Sequence, residues 1–118
     1  MNIGVDLIEI ERVAHSIARF GDRFLQRVYT PQELAYCNGR IPSLAVRWAA
    51  KEAVAKALGT GIGDIGWQEI EIVSDARQCP SVRLHGAAAQ LAAAQGITGF
   101  SISLSHTKDY AVAFVIGS

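Results

Sequence analysis

Cysteine is scarce in this chain. Cys37 and Cys79 stand alone, with no CxxC or Cys–His spacing, so a zinc site is not expected and both are read as reduced, structural thiols. An excess of charge is absent as well. Eleven basic residues balance eleven acidic ones, which argues against wholesale nucleic-acid binding and leaves any charged partner to a local patch. No apolar run approaches the ~20 residues of a membrane span, and no basic-plus-apolar leader opens the sequence, so a cytoplasmic protein that does not engage the membrane is expected. Linkers and internal repeats are also missing, so residues 1–118 are expected to fold as one domain around one core.

What is present centres on the stretch from Arg47 to Gly59. Five alanines, with Leu, Lys and Glu, predict a helix that stops at Gly59. At about 100° per residue, Trp48, Glu52 and Lys56 share a stripe, while Val46, Ala50, Ala53, Val54 and Ala57 form the apolar side. A Glu-to-Lys pair at this spacing is common on a solvated face and stabilises a helix by about 0.3–0.5 kcal/mol. The Trp48 ring sits badly on an open polar face, which points to a covered stripe; a carboxylate and a lysine beside a covered surface could hold a metal ion and an anion.

Earlier in the chain, Asn2 to Val5 reads as a strand and Asp6 falls at its junction with a helix. Its carboxylate suits either an N-cap, given Glu9 at capping-box spacing, or a ligand for a hard cation. In the following helix Val13, Ile17, Phe20 and Phe24 keep apolar spacing, with Gly21 as a candidate interruption. If the helix is continuous, Arg12, Arg19 and Arg23 gather on one side; with Arg27 they form the chain's basic cluster, either a solvated face or a seat for an acidic partner. Thr30-Pro31-Gln32-Glu33 is a capped helix start, Arg40-Ile41-Pro42 a loop, and Ser43 the expected cap of the central helix.

Beyond Gly59, the loop through Gly66 is glycine-rich but matches neither a Walker nor a dinucleotide fingerprint. It is a plain turn or a place where a flat group approaches bare backbone. Two strands, Glu69–Val73 and Ser81–His85, an alanine-rich helix from Gly86 to Gln95, and two strands at Gly99–Leu104 and Tyr110–Ile116 complete the chain. Ser105 to Asp109 is then a polar hairpin tip, where His106 is either idle or a phosphate-orienting group beside Ser105 and Thr107; His15 and His85 stay unassigned. Strand, three helices, two strands, helix and two strands make an α+β fold with a mixed, largely antiparallel sheet.

Three motifs in this order, Gly4-Val5-Asp6, Trp48-Ala49-Ala50-Lys51-Glu52-Ala53-Val54-Ala55-Lys56-Ala57-Leu58-Gly59-Thr60-Gly61, and Ser103-Leu104-Ser105-His106-Thr107-Lys108-Asp109-Tyr110-Ala111, resemble the signature of the 4′-phosphopantetheinyl transferases. The length and course of the whole chain are similar to the small bacterial type. Trp48 stands where Phe is frequent, and Ser103-Leu104-Ser105 replaces a commoner Ser-Ile-Thr or Ser-Ile-Ser.

The resemblance implies the phosphopantetheinyl transferase fold and transfer of the 4′-phosphopantetheine arm from coenzyme A to a serine of apo acyl carrier protein, in support of fatty acid biosynthesis. It implies that Asp6 and Glu52 hold Mg²⁺ and that Lys56 contacts the phosphates. Gly59, Thr60, Gly61, His106 and Thr107 would lie beside the nucleotide, and Arg40 and Arg47 near the 3′-phosphate. Arg12, Arg19 and Arg23 would meet the carrier's acidic helix, in a homotrimer with sites between neighbours. The serine's base is left between Glu52 and a metal-bound water. A catalytically silent binder of coenzyme A or carrier, and a Mg²⁺-dependent phosphodiesterase removing the same arm, are the alternatives.

Overall fold

The computed structural model describes residues 1–118. β1 (Asn2–Glu9) leads into α1 (Ile10–Phe20), α2 (Asp22–Val28), α3 (Pro31–Cys37) and the long α4 (Ile41–Ala57). A 3₁₀ turn at Trp67–Glu69 precedes β2 (Ile70–Ser74) and β3 (Pro80–Leu84), followed by α5 (Gly86–Ala94), β4 (Phe100–His106) and β5 (Tyr110–Gly117). The strands form two antiparallel sheets, β1-β5-β4 and the hairpin β2-β3.

Helix α4 lies across one face of the three-stranded sheet. Ala45, Ala49, Ala50, Ala53, Val54 and Ala57 are buried there against Ile8 of β1 and Ala111, Ala113 and Val115 of β5. Small side chains on both surfaces let helix and strand approach closely, and Gly4 sets the limit. A Cβ at Gly4 would lie 1.9 Å from the Ala53 carbonyl oxygen, well inside van der Waals contact.

Several sequence expectations need correction. β1 does not end at Val5, because the alternation continues: Gly4, Asp6 and Ile8 turn toward α4 while Ile3, Val5 and Leu7 turn outward. Asp6 therefore sits inside the ladder opposite Ala113, and the cap position of α1 falls on Glu9, whose side chain makes no capping bond. Gly21, named above as a candidate interruption, does divide the first helix in two at φ 56°, so four helices stand where three are expected. Ser43 is not a cap: Arg40 holds that position, and Pro42 sits in the first turn, where its missing N–H costs nothing.

β4 continues through His106, so the tip shrinks to Thr107–Asp109. Cys37 is buried as expected, whereas Cys79 is exposed in the β2–β3 loop and has no packing role. Thr30 and Glu33 form the expected reciprocal capping box on α3.

Substituting Gly4→Ala should destabilise the fold by about 1–3 kcal/mol or more in urea titrations, because β1 and α4 would have to separate. Gly99→Ala, with open space around the new methyl, should stay within about 0.5 kcal/mol of the parent. Equal losses at the two positions would show that the close approach at Gly4 does not limit packing.

Candidate functional site

The pleat that seats Gly4 on α4 also turns Asp6 toward that helix. Lys56, on the last turn of α4, donates from Nζ to Asp6 Oδ1 at 2.9 Å and to the Val5 carbonyl at 3.2 Å. Asp6 Oδ2 is buried and has no hydrogen-bond partner. Glu52, one turn before Lys56, is half-buried; desolvation first and the Asp6 charge second push its carboxyl above the usual carboxylate range, with Lys56 pulling the other way. Two acids and a lysine thus converge, although 46 positions separate Asp6 from Glu52 in the chain.

An orphaned carboxylate oxygen beside a second acid is costly without a cation. The donor set fits Mg²⁺, which takes one or two carboxylates and leaves its other positions to phosphate and water.

Trp48 belongs to the same stripe. Its ring packs on Trp67 with centroids 5.2 Å apart, so within the chain the 3₁₀ turn gives it partial cover. Trp48 also lines a 70 Å³ cleft with Ile8, Arg12, Val13, Ser16 and Phe24. Next to it, Arg23 and Arg27 flank a 240 Å³ cleft with Phe20 and Phe24, so Phe24 borders both clefts, and Arg19 lies 5.2 Å over the Phe20 ring. The basic cluster spans the α1–α2 break as an aromatic-and-arginine surface. A single continuous helical stripe is not formed.

Arg47 and His106 meet elsewhere, lining a 390 Å³ cavity with Tyr36, Ser74 and Gln78. Arg47 is buried and lies 4.3 Å over the Tyr36 ring. It donates to the Ser43 carbonyl and Ser74 Oγ, while its Nε has no partner. Arg40 does not line this cavity. It folds back onto the carbonyls of Tyr36 and Cys37, with its guanidinium over the Tyr36 ring. Thr107 Oγ1 accepts from the N–H groups of Asp109 and Tyr110 and closes the β4–β5 turn. Gly59, Thr60 and Gly61 follow Lys56, with Thr60 Oγ1 donating to Asp64 at 2.7 Å. Asp6, Glu52 and Lys56 are not among the residues that line the cavity of Arg47 and His106.

Sequence reasoning missed a buried polar network. Lys51, fully buried, donates to Glu33 Oε1 at 2.7 Å and to the carbonyls of Trp67 and Ile70. Burial pulls its pKa below the ordinary lysine value, against the attraction of Glu33. Beside it, burial would raise the Glu71 carboxyl, but hydrogen bonds from Thr30 and His85 together hold it below the usual range. A signal existed, since Arg47 and Lys51 stand one turn apart among alanines on the apolar side.

The family model of the 4′-phosphopantetheinyl transferase superfamily matches residues 2–115. A holo-[acyl-carrier-protein] synthase of Herpetosiphon aurantiacus is 51% identical over 121 residues, covering 97% of this chain and 95% of the relative. That of Koribacter versatilis is 45% identical, covering 98% and 96%. Among solved structures, the Helicobacter pylori holo-[acyl-carrier-protein] synthase in complex with coenzyme A superposes with TM-score 0.90 at 32% identity, covering 98% of this chain and 99% of that one. The Neisseria meningitidis synthase gives the same score at 37% identity, covering 99% and 97%.

The raised pKa of Glu52 fixes the sign of one measurement. The folded chain holds that proton more tightly than the unfolded chain, so the group's stabilising contribution is present at acidic pH and is lost as pH rises through its folded pKa. Glu52→Gln should therefore leave the metal-free protein as stable as the parent or more stable at about pH 7, with any gain vanishing toward about pH 4. Thermal melts across that range check this, and a lower Tm for the variant at neutral pH contradicts it.

Proposed function

The chain belongs to the 4′-phosphopantetheinyl transferase superfamily, and from that premise we propose how its residues act: residues 1–118 form one transferase domain that moves the 4′-phosphopantetheine arm of coenzyme A to a serine hydroxyl of apo acyl carrier protein. The reading is carried by one observation, the convergence of Asp6, Glu52 and Lys56 around an unpartnered, buried carboxylate oxygen. In the reaction the serine oxygen bonds to the phosphorus that bears the pantetheine arm, and the bond from that phosphorus to the bridging oxygen breaks. Adenosine 3′,5′-bisphosphate leaves with the bond's electron pair.

Asp6 and Glu52 would hold Mg²⁺, which supplies neutralisation of charge on the pyrophosphate. Lys56 is half-exposed, so its ammonium can turn from Asp6 to a phosphate oxygen without leaving solvent. Between Glu52 and a water, Glu52 is the acceptor for the serine proton that the chain itself offers. Arg47 lines the cavity together with His106, which supports Arg47 as a contact for the 3′-phosphate. Arg40, tied to two carbonyls, keeps an exposed guanidinium for a supporting contact. His106 and Thr107 at the end of β4, with Gly59, Thr60 and Gly61 after α4, would border the nucleotide.

The outer face of the sheet supports the assembly. Ile3, Val5, Leu7 and Phe114 are 42–63% exposed there, an apolar patch suited to a second copy of the chain. A homotrimer paired through this face would have its active sites between neighbours, as the family resemblance implies. No helix is long and apolar enough to cross a membrane, which accords with action in the cytoplasm, in fatty acid biosynthesis. The Arg12, Arg19 and Arg23 surface would seat the carrier's acidic helix.

With apo carrier, coenzyme A and Mg²⁺, the carrier should gain the mass of the arm, and Glu52→Gln should abolish that gain. An unchanged carrier would favour a silent binder, and loss of the arm from supplied holo carrier a phosphodiesterase. The same preparation should sediment as three chains; a single-chain mass removes the shared-site part of this reading. Arg12→Glu should raise KM for the carrier about tenfold or more and that for coenzyme A by much less. Equal changes in the two would remove the arginines from docking.

A further inference from the structure

The strongest unexplained feature of the molecule is the fully buried pair of Lys51 and Glu33, one residue away from Glu52. Both side chains have zero exposure and an N–O distance of 2.7 Å. Each is saturated. The three donors of Lys51 go to Glu33 Oε1 and the carbonyls of Trp67 and Ile70, at 2.7–2.9 Å. Glu33 also accepts from the Thr30 N–H at 2.9 Å on one oxygen and from the Ile72 N–H at 2.8 Å on the other.

Burying such a pair brings little net stability, since an apolar pair of similar volume commonly does as well or better. What it does bring is geometry. One ammonium ties α4 to the start of α3, to the 3₁₀ turn and to β2, with directional bonds that sliding apolar contacts lack. Successive helix residues point about 100° apart, so fixing Lys51 toward Glu33 fixes the direction in which Glu52 leaves α4. The second consequence runs through the backbone of Trp67. Its carbonyl accepts from Lys51 while its ring packs on Trp48, one turn before Glu52 on the same stripe.

We propose that Lys51 and Glu33 are positioning residues for the transfer reaction: the pair sets the rotation of α4 so that Glu52 faces Asp6, and seats the Trp67 ring on Trp48. This rests on the transferase reading given above, and it assigns neither residue a contact with substrate. The expected signature is a fall in kcat with little change in KM, because a group displaced by even 1 Å from its working position loses rate more than binding.

Trp48 and Trp67 are the chain's only tryptophans, so their packing should give an exciton couplet in far-ultraviolet circular dichroism that belongs to this pair alone. In the paired variant Glu33→Gln with Lys51→Met, both charges of the pair are removed together, so neither is left buried without the other. The couplet should weaken, Mn²⁺ affinity in the absence of coenzyme A should fall several-fold, and kcat should fall about tenfold or more while KM for coenzyme A moves less than about threefold. Trp67→Leu keeps the ion pair and should also lower kcat several-fold at constant KM, which decides the matter if the paired variant does not fold. A folded paired variant with the parent's couplet and Mn²⁺ affinity overturns the proposal, as does Trp67→Leu with the parent's kcat. Failure of the parent itself to transfer the arm would instead sink the transferase reading, and the couplet and Mn²⁺ titration would still decide whether the pair positions Glu52.

Discussion

The close approach of β1 to α4 is the constraint from which the site follows. Gly4 meets the Ala53 carbonyl with no room for a methyl group, and Asn2 donates to the Ala57 carbonyl at 2.7 Å one pleat earlier. With those two positions fixed, Asp6 is the next inward residue of the strand and can only face the last turns of α4. The alanines of α4 and β5 serve the same end, since larger side chains would widen the gap.

The central helix, the Thr30 capping box, the hairpins and the outer strands are all legible in the sequence, because each is written in local periodicity or turn chemistry. The Trp48-Glu52-Lys56 stripe was legible for the same reason. Asp6 was harder. A polar residue after a short apolar run reads as a strand end, and only the partner strand, 107 positions later at Ala113, reveals the inward pleat. Gly21 breaks the first helix because a glycine at positive φ is indifferent to the apolar spacing on either side of it. The Lys51–Glu33 pair was hidden because charge in a helix is ordinarily read as surface, and its carboxylate partner lies in another helix.

Two different solutions to buried charge stand within one turn of α4. Lys51 is closed: every donor has an acceptor, and its carboxylate partner accepts two further N–H groups, so nothing more is needed from outside. Asp6 and Glu52 are open: one oxygen has no partner, one carboxyl is pushed toward its protonated form, and a half-exposed lysine supplies the only nearby positive charge. A closed network resists change and suits a frame. An open one is stabilised by whatever cation or phosphate arrives, so its energy falls on binding, and that difference is what separates scaffold from site along a single helix. The adjacency of Lys51 and Glu52 in sequence is then the shortest route by which rigidity in the first can be passed to the second.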